Sequence, residues 1–287
     1  VRLPSMNGPE PRTRSPLLLA GVAQGGLVLA FVVLWIGSAS RGDFWRSDFA
    51  AFYLGWRIVL DGQGKHLYDR ATQEEYQARY VPERTAEGGL LAFVNPPHAA
   101  LAMAPLAVLN RETSFHLWTA LQLVFLLLTL RFFLEWTRLW STDERLLLIL
   151  TVLAFPAIFI GFQLGQVALA GLLCLTGFYH AFRKENDFAC AAWLVLGTFK
   201  PQLMVVPAVT LLAAQRWRAI GWGVLLFGLW AGVTTAILGA EVWIDFLAMT
   251  RDSAGKFDVD GIFPRRMYNA KGLLTGLFGV EQAKLVN

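Results

Sequence analysis

The stretch "SPLLLAGVAQGGLVLAFVVLWIGSAS", residues 15–40, decides the fold class, because it runs for 26 residues without a charged side chain. A helix that crosses a bilayer needs about 20 apolar residues, so this stretch predicts a transmembrane helix. It is too long for the apolar region of a signal peptide and has no small-residue cleavage pattern. We therefore expect it to remain as the first span.

The rest of the chain has the same character. Hydrophobic residues make up 55% of the 287 residues and charged residues 16%, whereas soluble proteins carry about 25% charged residues. Further long apolar stretches cover residues 88–110, 113–130, 146–182, 188–214 and 219–240. Since residues 146–182 could form a helical hairpin, the pattern predicts an all-α polytopic membrane protein with about seven spans. The proline-containing stretch at residues 88–110 has two interpretations, a short second span or a segment that enters the membrane and returns, and the orientation of residues 131–187 depends on which one holds.

Basic residues give the expected orientation. Lys and Arg in short loops favour the cytoplasmic side, and they occur within residues 1–14 and at Arg216 and Arg218. We expect residues 1–14 to form a cytoplasmic tail, and residues 41–95 and 241–271 to form loops on the outer face.

The first outer loop combines a carboxylate with an aromatic helix face. Asp48 precedes four aromatic residues at helical spacing, Phe49, Phe52, Tyr53 and Trp56. This pattern predicts an interfacial helix whose aromatic face lies in the lipid headgroup layer. Asp48 has two interpretations. It could cap this helix, or it could serve as a general base whose pKa is raised by apolar surroundings.

Two apolar segments carry polar residues beside helix breakers. In "NPPHAALAMAPL", residues 95–106, the tandem proline predicts a helix start whose free amides face anionic groups, with Asn95 and His98 beside it. In "GFQLGQVALAG", residues 161–171, glycines predict a turn that holds Gln163 and Gln166. The alternatives are a plain proline-initiated helix and a tight hairpin whose amides satisfy exposed carbonyl groups.

Three basic residues are candidates for binding phosphate. Lys200 lies within an apolar stretch, where a Lys costs about 2.5–3.5 kcal/mol and usually has a partner. Pro201 breaks the helix there, so the pair predicts a phosphate site at a broken helix. A Lys that snorkels from a helix end is the alternative. Arg265 and Arg266 could clamp a phosphate, or they could lie in a solvated turn.

Several classes of function lack their motifs. The four His and two Cys residues show no metal-ligand spacing, and there is no nucleotide-binding glycine loop. No alternation of basic and aromatic residues indicates nucleic-acid binding. We expect no metal, no cofactor and no nucleic-acid partner.

The order of the motifs is more specific than any one of them. "SDFAAFYLGWRIVLDGQGKHLYD" is followed by "NPPHAALAMAPL", then "GQVALAGLL", then "LVLGTFKPQLMVVPAVTLLAAQRWRA". This order, over roughly residues 15–280, resembles glycosyltransferase family 87. Members of that family include α-1,2-mannosyltransferases that use polyprenyl-phosphate mannose.

The resemblance implies a GT-C type membrane fold that acts on the outer face of the plasma membrane (the bacterial inner membrane). The implied donor is a polyprenyl-phosphate hexose, in particular mannose, and the implied acceptor is a hydroxyl group of a lipid or glycan. Asp48 matches the general base, while Gln166 and Lys200 match positions at the donor or phosphate site. Residues 1–287 then form a single domain, which we expect to be incomplete at its C-terminal end.

Two alternatives stay open at this point. A transporter or lipid flippase would also place a Lys at a broken helix, although it predicts an inverted repeat that the sequence lacks. An inactive, truncated remnant of a glycosyltransferase is the other.

Overall fold

A computed structural model describes residues 14–39, 47–87 and 89–253, which are helical and contain no strand. The α-helices are α1 (Arg14–Ala39), α2 (Asp48–Leu60), α3 (Arg70–Tyr80), α4 (Pro82–Glu87), α5 (Pro97–Met103), α6 (Arg111–Trp136), α7 (Thr142–Leu153), α8 (Pro156–Leu164), α9 (Ala168–Arg183), α10 (Asp187–Leu196), α11 (Pro201–Ala213), α12 (Trp217–Leu238) and α13 (Glu241–Ser253). Short 3₁₀ turns at Gly64–His66, Ala104–Val108 and Gly197–Phe199 join some of them.

Local sequence signals set where the helices begin. Asn110 caps α6 by accepting from the Thr113 backbone N–H at 2.9 Å. Proline is the first residue of α5, α8 and α11, where its missing N–H costs nothing. The tandem proline starts a helix, as the sequence predicted, and Pro201 starts α11 at the break that the sequence predicted there.

The structure supports a helical membrane protein but not a count of seven spans. Among the described residues, three helices are long and apolar enough to cross a bilayer: Leu17–Gly37, Arg111–Trp136 and Trp217–Leu238. The pair α7 and α8, bent by 44°, provides a fourth candidate. The other apolar helices have 10–17 residues, fewer than the roughly 20 that a span needs. Proline and glycine have divided the apolar stretches that the sequence interpretation counted as whole spans.

The interfacial position predicted for α2 is wrong. Its aromatic face is buried inside the protein, with Phe49 0%, Tyr53 2% and Trp56 3% exposed. The Phe49 ring meets Phe115 of α6 edge-to-face at 5.2 Å between ring centroids, and Trp56 meets Trp118 of the same helix at 5.7 Å. Helical periodicity identifies an apolar face but does not say whether lipid or protein covers it.

Candidate active site

A polar cavity of about 720 Å³ lies where the two predicted outer-face loops meet. Residues of the first loop, including Asp48 and Asn95, share its wall with Asp245 of the second. Gln166 and Lys200 complete the set of sequence candidates that line it. Side chains that are far apart in the sequence therefore face one chamber.

Asp48 enters this cavity from the first turn of α2. Ser47 occupies the N-cap position, and the Asp48 carboxylate accepts a hydrogen bond from the Gln166 side-chain amide. The carboxylate is thus bound to a partner 118 positions along the chain. The helix-cap interpretation of Asp48 does not describe this arrangement.

The surroundings of Asp48, which lies outside the candidate spans, change its acidity. Burial raises the pKa of the Asp48 carboxyl above its usual range, while the Gln166 hydrogen bond and the Lys200 charge act in the opposite direction. A carboxylate with a raised pKa is a stronger proton acceptor. The geometry therefore suits general-base chemistry.

Gly165 allows Gln166 to reach Asp48. Gly165 ends α8 in the left-handed conformation, with φ at 63°, and the Trp118 indole N–H donates to its carbonyl oxygen at 2.8 Å. A Cβ atom at this position would lie 2.6 Å from Cβ of Phe49. The backbone thus comes against α2 at a point where only glycine fits.

We expect Gly165→Ala to destabilise the protein by about 2–4 kcal/mol, through a left-handed non-glycine residue and a steric clash. Gly161→Ala is the matched control, because a Cβ at Gly161 meets no atom within 4 Å. Thermal unfolding in detergent measures both variants. Equal melting temperatures would contradict the close approach of this turn to α2.

Lys200 lies at the junction between the 3₁₀ turn Gly197–Phe199 and α11. Pro201 starts α11, so the helix is interrupted where the cation lies. The Lys200 side chain lines the polar cavity and interacts electrostatically with the Asp48 carboxylate. The cation therefore faces a chamber instead of the lipid, and it can bind an anion there.

An apolar cavity of about 420 Å³ adjoins the polar one. Phe52, Phe93 and Asn95 line both cavities. The Tyr68 hydroxyl donates to the backbone carbonyl of Asn95 at 2.6 Å, which fixes the backbone at this boundary. A ligand with a polar head and an apolar tail could occupy both cavities.

His98 lines the apolar cavity and is 4% exposed. Its ring stacks on Trp243 with centroids 5.8 Å apart, and its Nε2 lies 3.1 Å from Thr198 Oγ1. Thr198 belongs to the 3₁₀ turn that precedes Lys200. His98 thus links α5 to the segment that carries the cation.

The other sequence candidates do not join this cluster. Gln163 is exposed on α8 and lines neither cavity. Arg265 and Arg266 lie outside the described residues. The set that the structure brings to the cavities consists of Asp48, Asn95, His98, Gln166 and Lys200.

Sequence reasoning missed two glutamines that shape the cavity wall. Gln73 and Gln77 of α3 are each 4% exposed. Both side chains form hydrogen bonds with the irregular segment between α4 and α5. The Gln73 amide accepts from the Phe93 backbone N–H at 2.9 Å, and the Gln77 amide accepts from the Leu91 N–H at 2.7 Å. Their spacing of four residues on one helix face was the available signal.

Within the part of the chain that the structure describes, no group of three His, Cys, Asp or Glu side chains is placed to hold a metal ion. The arrangement offers a half-buried carboxylate, a cation that faces it, and an apolar chamber beside both. These groups can accept a proton, stabilise an anion and hold a hydrocarbon chain.

Comparison with known proteins gives one match. The model of glycosyltransferase family 87 matches residues 93–285, about two thirds of the chain. This region includes Gln166 and Lys200, while Asp48 precedes it. No curated protein and no solved structure matches the chain.

Proposed function

The chain belongs to glycosyltransferase family 87, and on this premise we propose that it transfers a hexose from a polyprenyl-phosphate donor to a hydroxyl group of a lipid or glycan. Membership of the family makes it a membrane glycosyltransferase. The donor, the acceptor, mannose as the sugar, and an active site on the outer face of the plasma membrane are parts of the proposal. Asp48 is the proposed base and Lys200 the proposed phosphate ligand.

One observation carries the proposal: the polar cavity with Asp48 and Lys200 adjoins an apolar cavity of similar scale. A lipid-linked sugar has the same two parts, a polar head and a hydrocarbon chain. In the proposed complex, the sugar and phosphate occupy the polar cavity, while the first part of the prenyl chain passes Phe52 and Phe93 into the apolar one. Burial of that chain would contribute binding energy in proportion to its apolar area.

The proposed reaction is a displacement at the anomeric carbon of the donor sugar. The acceptor oxygen forms a bond to this carbon, and the acceptor proton passes to the Asp48 carboxylate. The bond between the anomeric carbon and the phosphate oxygen breaks, and the polyprenyl phosphate leaves with the electron pair. The Lys200 ammonium stabilises the negative charge of this leaving group. Gln166 holds the carboxylate in place through its hydrogen bond.

The pH dependence of the reaction should report the raised pKa of Asp48. The base works only when ionised, so kcat/KM, which reports the pKa of the free enzyme, should fall as the pH drops through that pKa, with a slope of about one. Measurement of kcat/KM between about pH 3 and pH 8 follows this decline. An acidic limb at or below about pH 3.9, the usual value for an exposed Asp, would contradict the assignment.

The donor class is tested with the purified chain in liposomes. Mannose labelled with ¹⁴C is supplied either on polyprenyl phosphate or on guanosine diphosphate, with a total membrane lipid extract as acceptor. We expect label to reach the extract only from the lipid donor. Transfer from the nucleotide sugar would contradict the proposed use of both cavities, and movement of intact donor between leaflets without transfer would favour a flippase.

A further inference from the structure

The polar cavity extends beyond the residues that the proposed reaction uses. Its wall includes Asp245, Ala248 and Met249, which share one face of α13 because they are separated by three and four residues. None of the three lines the apolar cavity. This face of α13 therefore borders the part of the chamber that the prenyl chain does not enter.

Packing fixes α13 in this position. Val242 is fully buried, and the Trp243 indole N–H donates to Thr235 Oγ1 of α12 at 3.0 Å. The ring of Phe246 lies 5.7 Å from that of Tyr68 across the cavity rim. Residues on both sides of Asp245 in the sequence are thus anchored, so its carboxylate is presented from a rigid element.

The carboxylates that line the cavity differ in what they already bind. Asp69 caps α3 through the backbone N–H of Thr72 at 2.9 Å and its hydroxyl at 2.7 Å. Asp48 binds Gln166. Asp245 makes no hydrogen bond or ion pair with the described part of the chain, although its charge acts on Tyr68. The Asp245 side chain is exposed, so among the described residues both of its oxygens are open to a ligand.

We infer that Asp245 binds hydroxyl groups of a sugar acceptor and helps to determine which acceptor is used. An ionised carboxylate has two acceptor oxygens, which can take hydrogen bonds from two neighbouring hydroxyls of a sugar ring. The donor's sugar and phosphate are assigned to the part of the polar cavity at Asp48 and Lys200, and its prenyl chain to the apolar cavity. We therefore assign the hydroxyls at Asp245 to the second substrate. This inference rests on the proposed transferase function.

The test compares Asp245→Ala with the wild-type chain, using polyprenyl-phosphate mannose as donor and octyl α-mannoside, octyl β-glucoside and octyl β-galactoside as acceptors. Loss of hydrogen bonds to a charged group should raise KM for the preferred glycoside by about tenfold or more. KM for the donor should stay within about twofold of the wild-type value, because the donor is assigned to other residues. The rate of donor hydrolysis should also stay within about twofold of the wild-type rate, because water has no sugar hydroxyls that would bind Asp245. Asp245→Asn keeps the shape and should recover part of the loss.

Glu241→Gln is the control, since Glu241 is exposed on the same helix and lines neither cavity. Unchanged KM for the glycoside in Asp245→Ala would overturn the inference while leaving the transferase function intact. A wild-type chain that hydrolyses the donor but transfers to none of the glycosides would also overturn it. A wild-type chain that neither hydrolyses the donor nor transfers its sugar would remove the proposed function itself.

Discussion

Asp48→Asn should reduce sugar transfer by about 10²–10⁴-fold, the usual contribution of a general base. The amide has almost the same shape as the carboxylate, and its oxygen can still accept the hydrogen bond from Gln166. The loss should therefore fall on kcat, with melting temperature and membrane insertion unchanged. Initial rates with labelled donor in liposomes measure it.

Asp143→Asn is the matched control for this substitution. Asp143 is exposed in the first turn of α7, so like Asp48 it lies in the first turn of a helix, but it lines neither cavity. We expect its transfer rate to equal that of the wild-type chain. An Asp48→Asn variant that transfers within about twofold of the wild-type rate would exclude the carboxylate from the proton transfer.

Lys200→Met should be the second most damaging change, with kcat reduced by about 10²–10³-fold. Methionine keeps much of the length of the side chain but removes the charge that would stabilise the departing phosphate. KM for the lipid donor should rise more than KM for the acceptor, because the cation is assigned to the donor. Lys200→Arg, which keeps the charge, should recover part of the rate.

Lys184→Met provides the comparison for Lys200. The Lys184 side chain is 64% exposed and lies 3.6 Å from Glu135, so its ion pair contributes little. Its removal should leave both KM values unchanged. Equal increases in donor and acceptor KM for Lys200→Met would argue against a phosphate ligand and for a general loss of cavity shape.

The sequence could predict the class of helical membrane protein and the helix breaks beside which the polar residues of the cavity lie. Pro201 directly after Lys200 marks an interrupted helix, and the structure has one there. Gly165 similarly marks the turn before Gln166. These signals are local, since proline fixes φ of the backbone and glycine permits the left-handed conformation wherever they occur.

Features that depend on packing between distant segments could not be predicted in the same way. The aromatic face of α2 has the spacing of an interfacial helix, yet Phe115 and Trp118 of α6 cover it. The apolar cavity combines residues of several helices, from Phe52 to Trp230, and no spacing reveals it. Asp245 gave no local signal, because its significance comes from the cavity that α13 borders.

The structure does not support the count of seven spans, for a related reason. Composition identifies apolar stretches, but proline and glycine decide whether each one forms a single helix. The composition of residues 188–214 predicted one span with a buried Lys, whereas the structure divides these residues into α10, a 3₁₀ turn and α11. The same break in the helix brings Lys200 to the cavity, so it both reduces the number of long helices and helps to form the site.

A product balance is the sharpest test of whether Asp48 and Lys200 act together on a lipid-linked sugar. The purified wild-type chain is reconstituted with polyprenyl-phosphate mannose labelled in both sugar and phosphate. We expect one polyprenyl phosphate to be released for each mannose that reaches an acceptor hydroxyl, with both products lost in Asp48→Asn and greatly reduced in Lys200→Met. Release and transfer that continue in both variants at the wild-type rate would contradict it.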